Sequence, residues 1–138
     1  MDAPERYEQL IAFLDSNLPS PVERREEADG ALQFVGGEPP EVVVGLTDTS
    51  VVVSEFAATW ESPYALTSKP RRVGVLKWRR LPETALFNAL GTLIKGAREA
   101  RRSGFRICRE CGRSTPPEWL RTETVCQRCA GEDLGSVH

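Results

Sequence analysis

The stretch Glu41 to Ala58, EVVVGLTDTSVVVSEFAA, decides how the chain folds. Two valine-rich runs, Val42 to Leu46 and Val51 to Ala58, flank the four residues Thr47-Asp48-Thr49-Ser50. β-Branched side chains suit a pleated, half-buried surface, and Thr, Asp and Ser close turns by bonding to nearby backbone. The stretch reads as two antiparallel strands joined by a hairpin turn.

Working outward, Ala31 to Val35 is a further candidate strand, ended by Gly36-Gly37 and Pro39-Pro40. On the other side, Arg71 to Arg80 has an apolar middle of Val73, Val75, Leu76 and Trp78, with Arg71, Arg72, Lys77, Arg79 and Arg80 crowding its ends. A central strand with basic tips or an edge strand guarded by charge fits that pattern. Between them, Thr59 to Pro70 is long for a hairpin loop. Its Trp60 and Tyr64 are expected to pack on the rim of the core, the alternative being a binding loop. About four strands form an antiparallel meander.

Two helices flank it. Tyr7, Leu10, Ile11 and Leu14 share one face of a helix over residues 4–17, with Asp2 as a cap and Asn17 and Pro19 as the stop. Leu86, Leu90, Leu93, Ile94 and Ala97 form the stripe of a second helix over 83–103, with Gly104 expected as a left-handed cap. Arg98, Arg101 and Arg102 suit the negative end of its dipole. Gly91 and Gly96 weaken it or permit close approach of the sheet. The charged segment Ser20 to Gly30 reads as a solvated connection. The expected fold is α+β, a sheet of about four strands with helices on one face over residues 1–104.

Residues 105–138 form a second, smaller domain. The segment Gly104 to Gly131, GFRICRECGRSTPPEWLRTETVCQRCAG, holds all four cysteines of the chain. Cys108 and Cys111 are two residues apart, as are Cys126 and Cys129, which is the spacing of a four-thiolate zinc site. Gly112 follows the first pair, where positive φ is needed, and Ala130 holds the same place after the second. Apart from the cysteines the region has few apolar side chains, mainly Phe105, Ile107, Trp119, Leu120, Val125 and Leu134. Structural zinc, with an apparent binding free energy on the order of 10 kcal/mol, supplies what such a core lacks. Two knuckles joined by a loop of this length form a zinc ribbon or a short treble-clef-like finger. Four cysteines close the coordination shell, so the ion is expected to be structural rather than catalytic.

The run Gly104-Phe105, Cys108-x-x-Cys111-Gly112, Pro116, Leu120 and Cys126-x-x-Cys129 resembles the C-terminal zinc finger of DksA/TraR-type transcription regulators. What the resemblance implies is zinc at Cys108, Cys111, Cys126 and Cys129. The acidic-tipped helical hairpin of that family has no counterpart in the α+β region, so binding in the RNA polymerase channel does not carry over.

Charge is strongly polarised. Residues 1–66 hold thirteen Asp or Glu against three Arg, and residues 67–113 hold thirteen Lys or Arg against three Glu, within a chain of net charge −2. The basic half offers Lys69, Arg71, Arg72, Lys77, Arg79, Arg80, Arg98, Arg101, Arg102, Arg106, Arg109 and Arg113 as contacts for a nucleic acid. The two halves can equally face each other within the fold or across a homo-oligomer. The sequence therefore supports a non-catalytic, zinc-containing protein that binds nucleic acid in a regulatory role, or an adaptor for a protein partner.

Other classes have little to rest on. The histidine, His138, is terminal, and Asp48, Glu55 and Glu61 are isolated carboxylates with no nucleophile motif or phosphate loop beside them. No apolar run approaches the roughly 20 residues that span a bilayer. The acidic N-terminus lacks the pattern of a signal peptide, and cysteine pairs used for metal suit a reducing compartment. A cytoplasmic location is expected.

Overall fold

A computed structural model describes residues 3–135. Asp2, named above as a cap, and His138 lie outside the described residues, as does the side chain of Leu134. The hairpin at the heart of the sequence forms as read: β3 (Val42–Leu46) pairs antiparallel with β4 (Val51–Glu55), Leu46 facing Val51 across the turn. Thr47 closes that turn, its N–H donating to the Ser50 carbonyl at 2.9 Å while its Oγ1 accepts from the Ser50 N–H at 3.0 Å.

Around this pair the chain builds a five-stranded antiparallel sheet. β2 (Leu32–Gly36) lies beside β3, β1 (Val22–Glu26) is one edge, and β7 (Arg71–Leu76) is the other. The strand β1 corrects the solvated connection expected between Ser20 and Gly30. Its sequence VERRE has no apolar alternation, because an edge strand is held by backbone pairing to β2 and its side chains stay wet. Of the two readings of Arg71 to Arg80, the edge strand is the one adopted, and it stops at Leu76. Trp78 to Arg80 then form a single 3-10 turn that buries Trp78, whose Nε1 donates to the Thr47 carbonyl at 2.9 Å.

The register decides what faces the core. Phe34, Val44, Val53 and Gly74 form one cross-strand row, and Leu32, Leu46, Val51 and Leu76 the next. Both rows lie on the face covered by α1 (Ala3–Asn17) and α2 (Glu83–Ser103), whose Leu10, Leu14, Leu86, Leu90, Ile94 and Ala97 are buried there. The opposite face holds Val35, Val43, Val52 and Val75, of which Val43 is buried and Val75 exposed.

Close approach of helix and sheet occurs at Gly74 rather than at the helical glycines. A Cβ on Gly74 would lie 2.7 Å from Leu93 Cδ2, whereas one on Gly96 would meet nothing within 4 Å and one on Gly91 only Phe13 at 3.9 Å. Nor is Gly104 a left-handed cap. Its φ is −87°, and a Cβ there would come within 3.0 Å of Pro117 Cγ, so the missing side chain lets the C-terminal segment fold back onto α2.

The long connection after β4 is itself a hairpin. β5 (Ala58–Ser62) pairs with β6 (Ala65–Ser68) outside the main sheet. Neither aromatic packs on the rim of the core as expected. Tyr64, at the hairpin turn, is 95% exposed, and Trp60 leans toward the cysteine segment. A turn and an exposed strand face give these two side chains no core to enter.

Candidate metal centre

The C-terminal segment leaves α2 through β8 (Arg106–Ile107), which pairs with β9 (Ser114–Thr115). Cys108 to Cys111 occupy the bend of that small hairpin. The Gly112 N–H donates to the Cys108 carbonyl at 2.8 Å and Gly112 takes φ +74°, the positive value expected from its position. A 3-10 turn at Pro117 to Trp119 and a bridge between Leu120 and Cys126 lead to α3 (Gln127–Gly135). The second pair differs from the first: Cys129 and Ala130 lie in the first turn of α3, so no positive φ is needed at Ala130. A hairpin knuckle followed by a helix-borne pair is the treble-clef-like arrangement of the two foreseen.

All four Sγ atoms lie within 4.8 Å of one another, and Cys111 and Cys126 are 3.9 Å apart. Sulfurs about 2.3 Å from a tetrahedral ion are separated by about 3.8 Å. The cluster therefore needs only a small contraction to hold one metal ion. Three of the cysteines are buried and Cys111 is exposed. Backbone N–H groups of Cys126 and Cys111 point at the Cys108 sulfur, the first at 3.4 Å, and hold its thiol at about 6, below the ordinary 9.0. Cys129 is pushed the other way, first by the Cys126 sulfur beside it and then by burial. Metal binding replaces this unequal sharing of protons by four thiolates and releases protons to solvent.

What fastens the segment to the α+β region is a buried ion pair. Arg101 in α2 and Glu118 in the 3-10 turn each have side chains only 3% exposed. Arg101 Nη1 donates to Glu118 Oε2 at 2.8 Å and Nη2 to Oε1, while Nε donates to the Pro40 carbonyl at 2.9 Å. The rings of Phe56 and Phe105 cover the guanidinium at 5.0 and 5.1 Å. Each of the three guanidinium nitrogens has a partner, as a buried charge requires. The backbone carbonyl of Glu118 also accepts from Trp60 Nε1 at 2.7 Å, and Trp60 meets Trp119 edge-to-face at 5.3 Å.

The partner in this latch, Glu118, was not singled out by its own sequence context. A signal for Arg101 was present: it continues the stripe Leu90, Ile94 and Ala97 by one more turn, so it had to be buried and had to find an acid. Arg101 also lies in the last turn of α2, the end of the helix dipole that suits a cation.

The other basic candidates are dispersed, and the acidic half of the chain meets several of them. Glu41 receives both Arg98 and Arg102, Glu55 pairs with Arg71 at 3.0 Å, and Glu61 with Lys69 at 2.9 Å. Arg79 bonds to the Asp48 carbonyl, Arg106 to the carbonyls of Ser103 and Phe105, and Arg109 lies 3.8 Å from Glu110. Arg72, Lys77, Arg80 and Arg113 have no side-chain partner among the described residues. Glu55 and Glu61 are held by different cations on different strands, and do not share a partner with Asp48. No helix among the described residues is long and apolar enough to cross a membrane.

Comparison with known proteins is silent on kinship: no family model, curated protein or solved structure matches the chain. Of the likeness to DksA/TraR-type fingers, the structure supports the four-cysteine cluster that could hold one metal ion.

Proposed function

We propose that the protein is a non-catalytic adaptor in which one structural zinc ion orders the C-terminal segment as a platform for a protein partner. The observation that carries this reading is the seam itself. The cysteine cluster and the Arg101–Glu118 pair fix the 3-10 turn on α2, and the turn presents Trp119, which is 43% exposed beside Trp60. Exposed tryptophan held rigidly is the residue type on which protein interfaces concentrate their binding energy. Four thiolates fill a zinc ion's tetrahedral shell and leave no position for substrate, which supports a structural ion. An all-sulfur donor set at tetrahedral separations suits zinc.

A nucleic-acid role is the second reading, supported by Arg72, Lys77, Arg80 and Arg113, the candidates with no acid beside them. It is given second place because the remaining basic residues are met by carboxylates or carbonyls of the same chain, which dilutes any continuous positive face.

Elemental analysis of the purified chain is expected to return one zinc per molecule, and affinity capture with the zinc-loaded protein a defined protein partner that Trp119→Ala loses. Binding of duplex or single-stranded oligonucleotide that weakens steeply with salt, with no protein partner, would replace this reading by the second. A chain free of metal with four titratable thiols would remove both.

A further inference from the structure

The four cysteines are alike in sequence and unlike in place. Cys108, Cys126 and Cys129 are buried, whereas Cys111 is exposed. The difference follows from the two knuckles. Cys126 is bridged to Leu120 and Cys129 lies in the first turn of α3, while Cys111 sits at the hairpin bend beside Gly112 with its positive φ. Cys111, Cys126 and Cys129 also line a cavity of about 560 Å³, walled in part by Pro116 and Trp119. A solute that approaches the cluster from water therefore meets the Cys111 sulfur first. Across the cavity wall the Cys111 and Cys126 sulfurs are 3.9 Å apart, one from each knuckle. To bond they must approach by about 1.9 Å. Cys108, the other cysteine of the hairpin knuckle, is buried, and its sulfur accepts the Cys126 N–H at 3.4 Å.

We infer that Cys111 is an oxidation site for hydroperoxides, resolved by Cys126 into a disulfide across the two knuckles that ends metal binding. The inference deepens the adaptor reading by naming its regulation, and it rests on the metal ion of that reading. An accessible thiolate with a second cysteine poised beside it is the arrangement that reacts selectively with peroxide. The Cys111 thiolate attacks one oxygen of hydrogen peroxide, the O–O bond breaks, and hydroxide leaves, with the sulfur now a sulfenic acid. The Cys126 thiolate then attacks the Cys111 sulfur, the S–O bond breaks, and a second hydroxide leaves. Two electrons pass from the sulfurs to the peroxide. One ligand is lost from each knuckle, so Cys108 and Cys129 remain, too few to fill a tetrahedral shell. Val125 is the one buried residue of this cluster that is not a cysteine. With ligation gone, the hairpin and α3 lose their common anchor. The two Cys-x-x-Cys turns by themselves suggest oxidation within each pair; exposure and the shared cavity select the crossed pair.

Hydrogen peroxide added below stoichiometry to the zinc-loaded full chain tests this. Dimedone traps sulfenic acid, mass spectrometry locates adducts and disulfides, and a chromogenic chelator reads released zinc. The first adduct is expected on Cys111, and without dimedone a Cys111–Cys126 disulfide should form in step with zinc release. Reductant and added zinc should reverse both. Cys126→His, which keeps a zinc ligand, should accumulate the Cys111 adduct. Cys111→His should slow zinc release at least about tenfold, since it removes the accessible thiolate while keeping a ligand. If either variant fails to hold zinc, the adduct and disulfide positions in the unaltered chain decide. A first adduct on Cys126 or Cys129 overturns the inference. So does a disulfide within either Cys-x-x-Cys pair in place of the crossed one, or zinc release from Cys111→His at the unaltered rate; the adaptor reading stands in each case. A purified chain that carries no zinc overturns both.

Discussion

The α+β region and the C-terminal segment are held together by different physics. Fourteen buried apolar residues, from Leu10 to Ala97, form one cluster between sheet and helices. The C-terminal cluster consists of Cys108, Val125, Cys126 and Cys129. Each large apolar side chain contributes roughly 1.5 to 3 kcal/mol when buried, which suffices for the first region and not for the second. The smaller region therefore depends on metal ligation and on a buried ion pair, both of which are specific in geometry and vulnerable to chemistry. The contrast predicts that the segment's folding can be lost while the scaffold stays folded.

Removing the metal breaks the comparison most severely. Chelation, or Cys108→Ser with Cys111→Ser, is expected to cost the C-terminal segment on the order of 10 kcal/mol. Hydrogen exchange should then show protection lost over residues 105–131 and retained in β2, β3, β4 and α2. Simultaneous loss of protection in the sheet would mean that the two regions form one cooperative unit.

The next effects are of similar size in the two regions but differ in kind. Phe34→Ala leaves a cavity in the scaffold and should lower its stability by about 3 to 5 kcal/mol in denaturant titration. Glu118→Ala leaves Arg101 buried without its acid, also at a cost of about 3 to 5 kcal/mol. The double variant Arg101→Met with Glu118→Leu should recover much of that loss, since it removes both charges rather than one. If the single variant is neutral, the latch is not what fastens the seam.

Acidity sharpens the contrast in the metal-loaded protein. The cysteines bind an ion as thiolates, so protons compete with the metal at each sulfur. Hydrogen-exchange protection of the segment should therefore fall as pH drops and the ion is released, while Phe34 and its neighbours feel no such change. Smaller still, Gly112→Ala forces a side chain into φ +74° and should cost about 1 to 2 kcal/mol of the metal-bound segment. At the low end, Tyr64→Ser touches nothing buried and should change stability by less than about 0.5 kcal/mol.

Much of the scaffold was readable because its signals are local. Two runs of three consecutive valines on either side of a Thr-Asp-Thr-Ser turn can hardly be anything but a hairpin, and a stripe from Leu86 to Ala97 can hardly be anything but a packed helix. The cysteine cluster was readable for the same reason, since two Cys-x-x-Cys turns carry their geometry within four residues each. What escaped depends on partners far away in sequence. The strand β1 exists because β2 offers it a backbone edge, and its own side chains say only that it is wet. The apolar set Val73, Val75, Leu76 and Trp78 extends the expected strand past Leu76, but the chain leaves the strand there and Trp78 donates its Nε1–H to the Thr47 carbonyl. The fate of the arginines is the largest case: Glu41, Glu55 and Glu118 could not be matched with them until the strands and the 3-10 turn were placed. Charge polarity along the chain thus became charge pairing within it, as one of the two alternatives foresaw.

The placement of the three tryptophans gives each region its own optical label. Trp78 sits sealed in the scaffold, whereas Trp60 and Trp119 lie edge-to-face at the seam. Two indoles 5.3 Å apart share their excited states, so their coupled near-ultraviolet circular dichroism reports docking of the C-terminal segment independently of the scaffold. The molecule carries a built-in spectroscopic gauge of whether its C-terminal segment is seated.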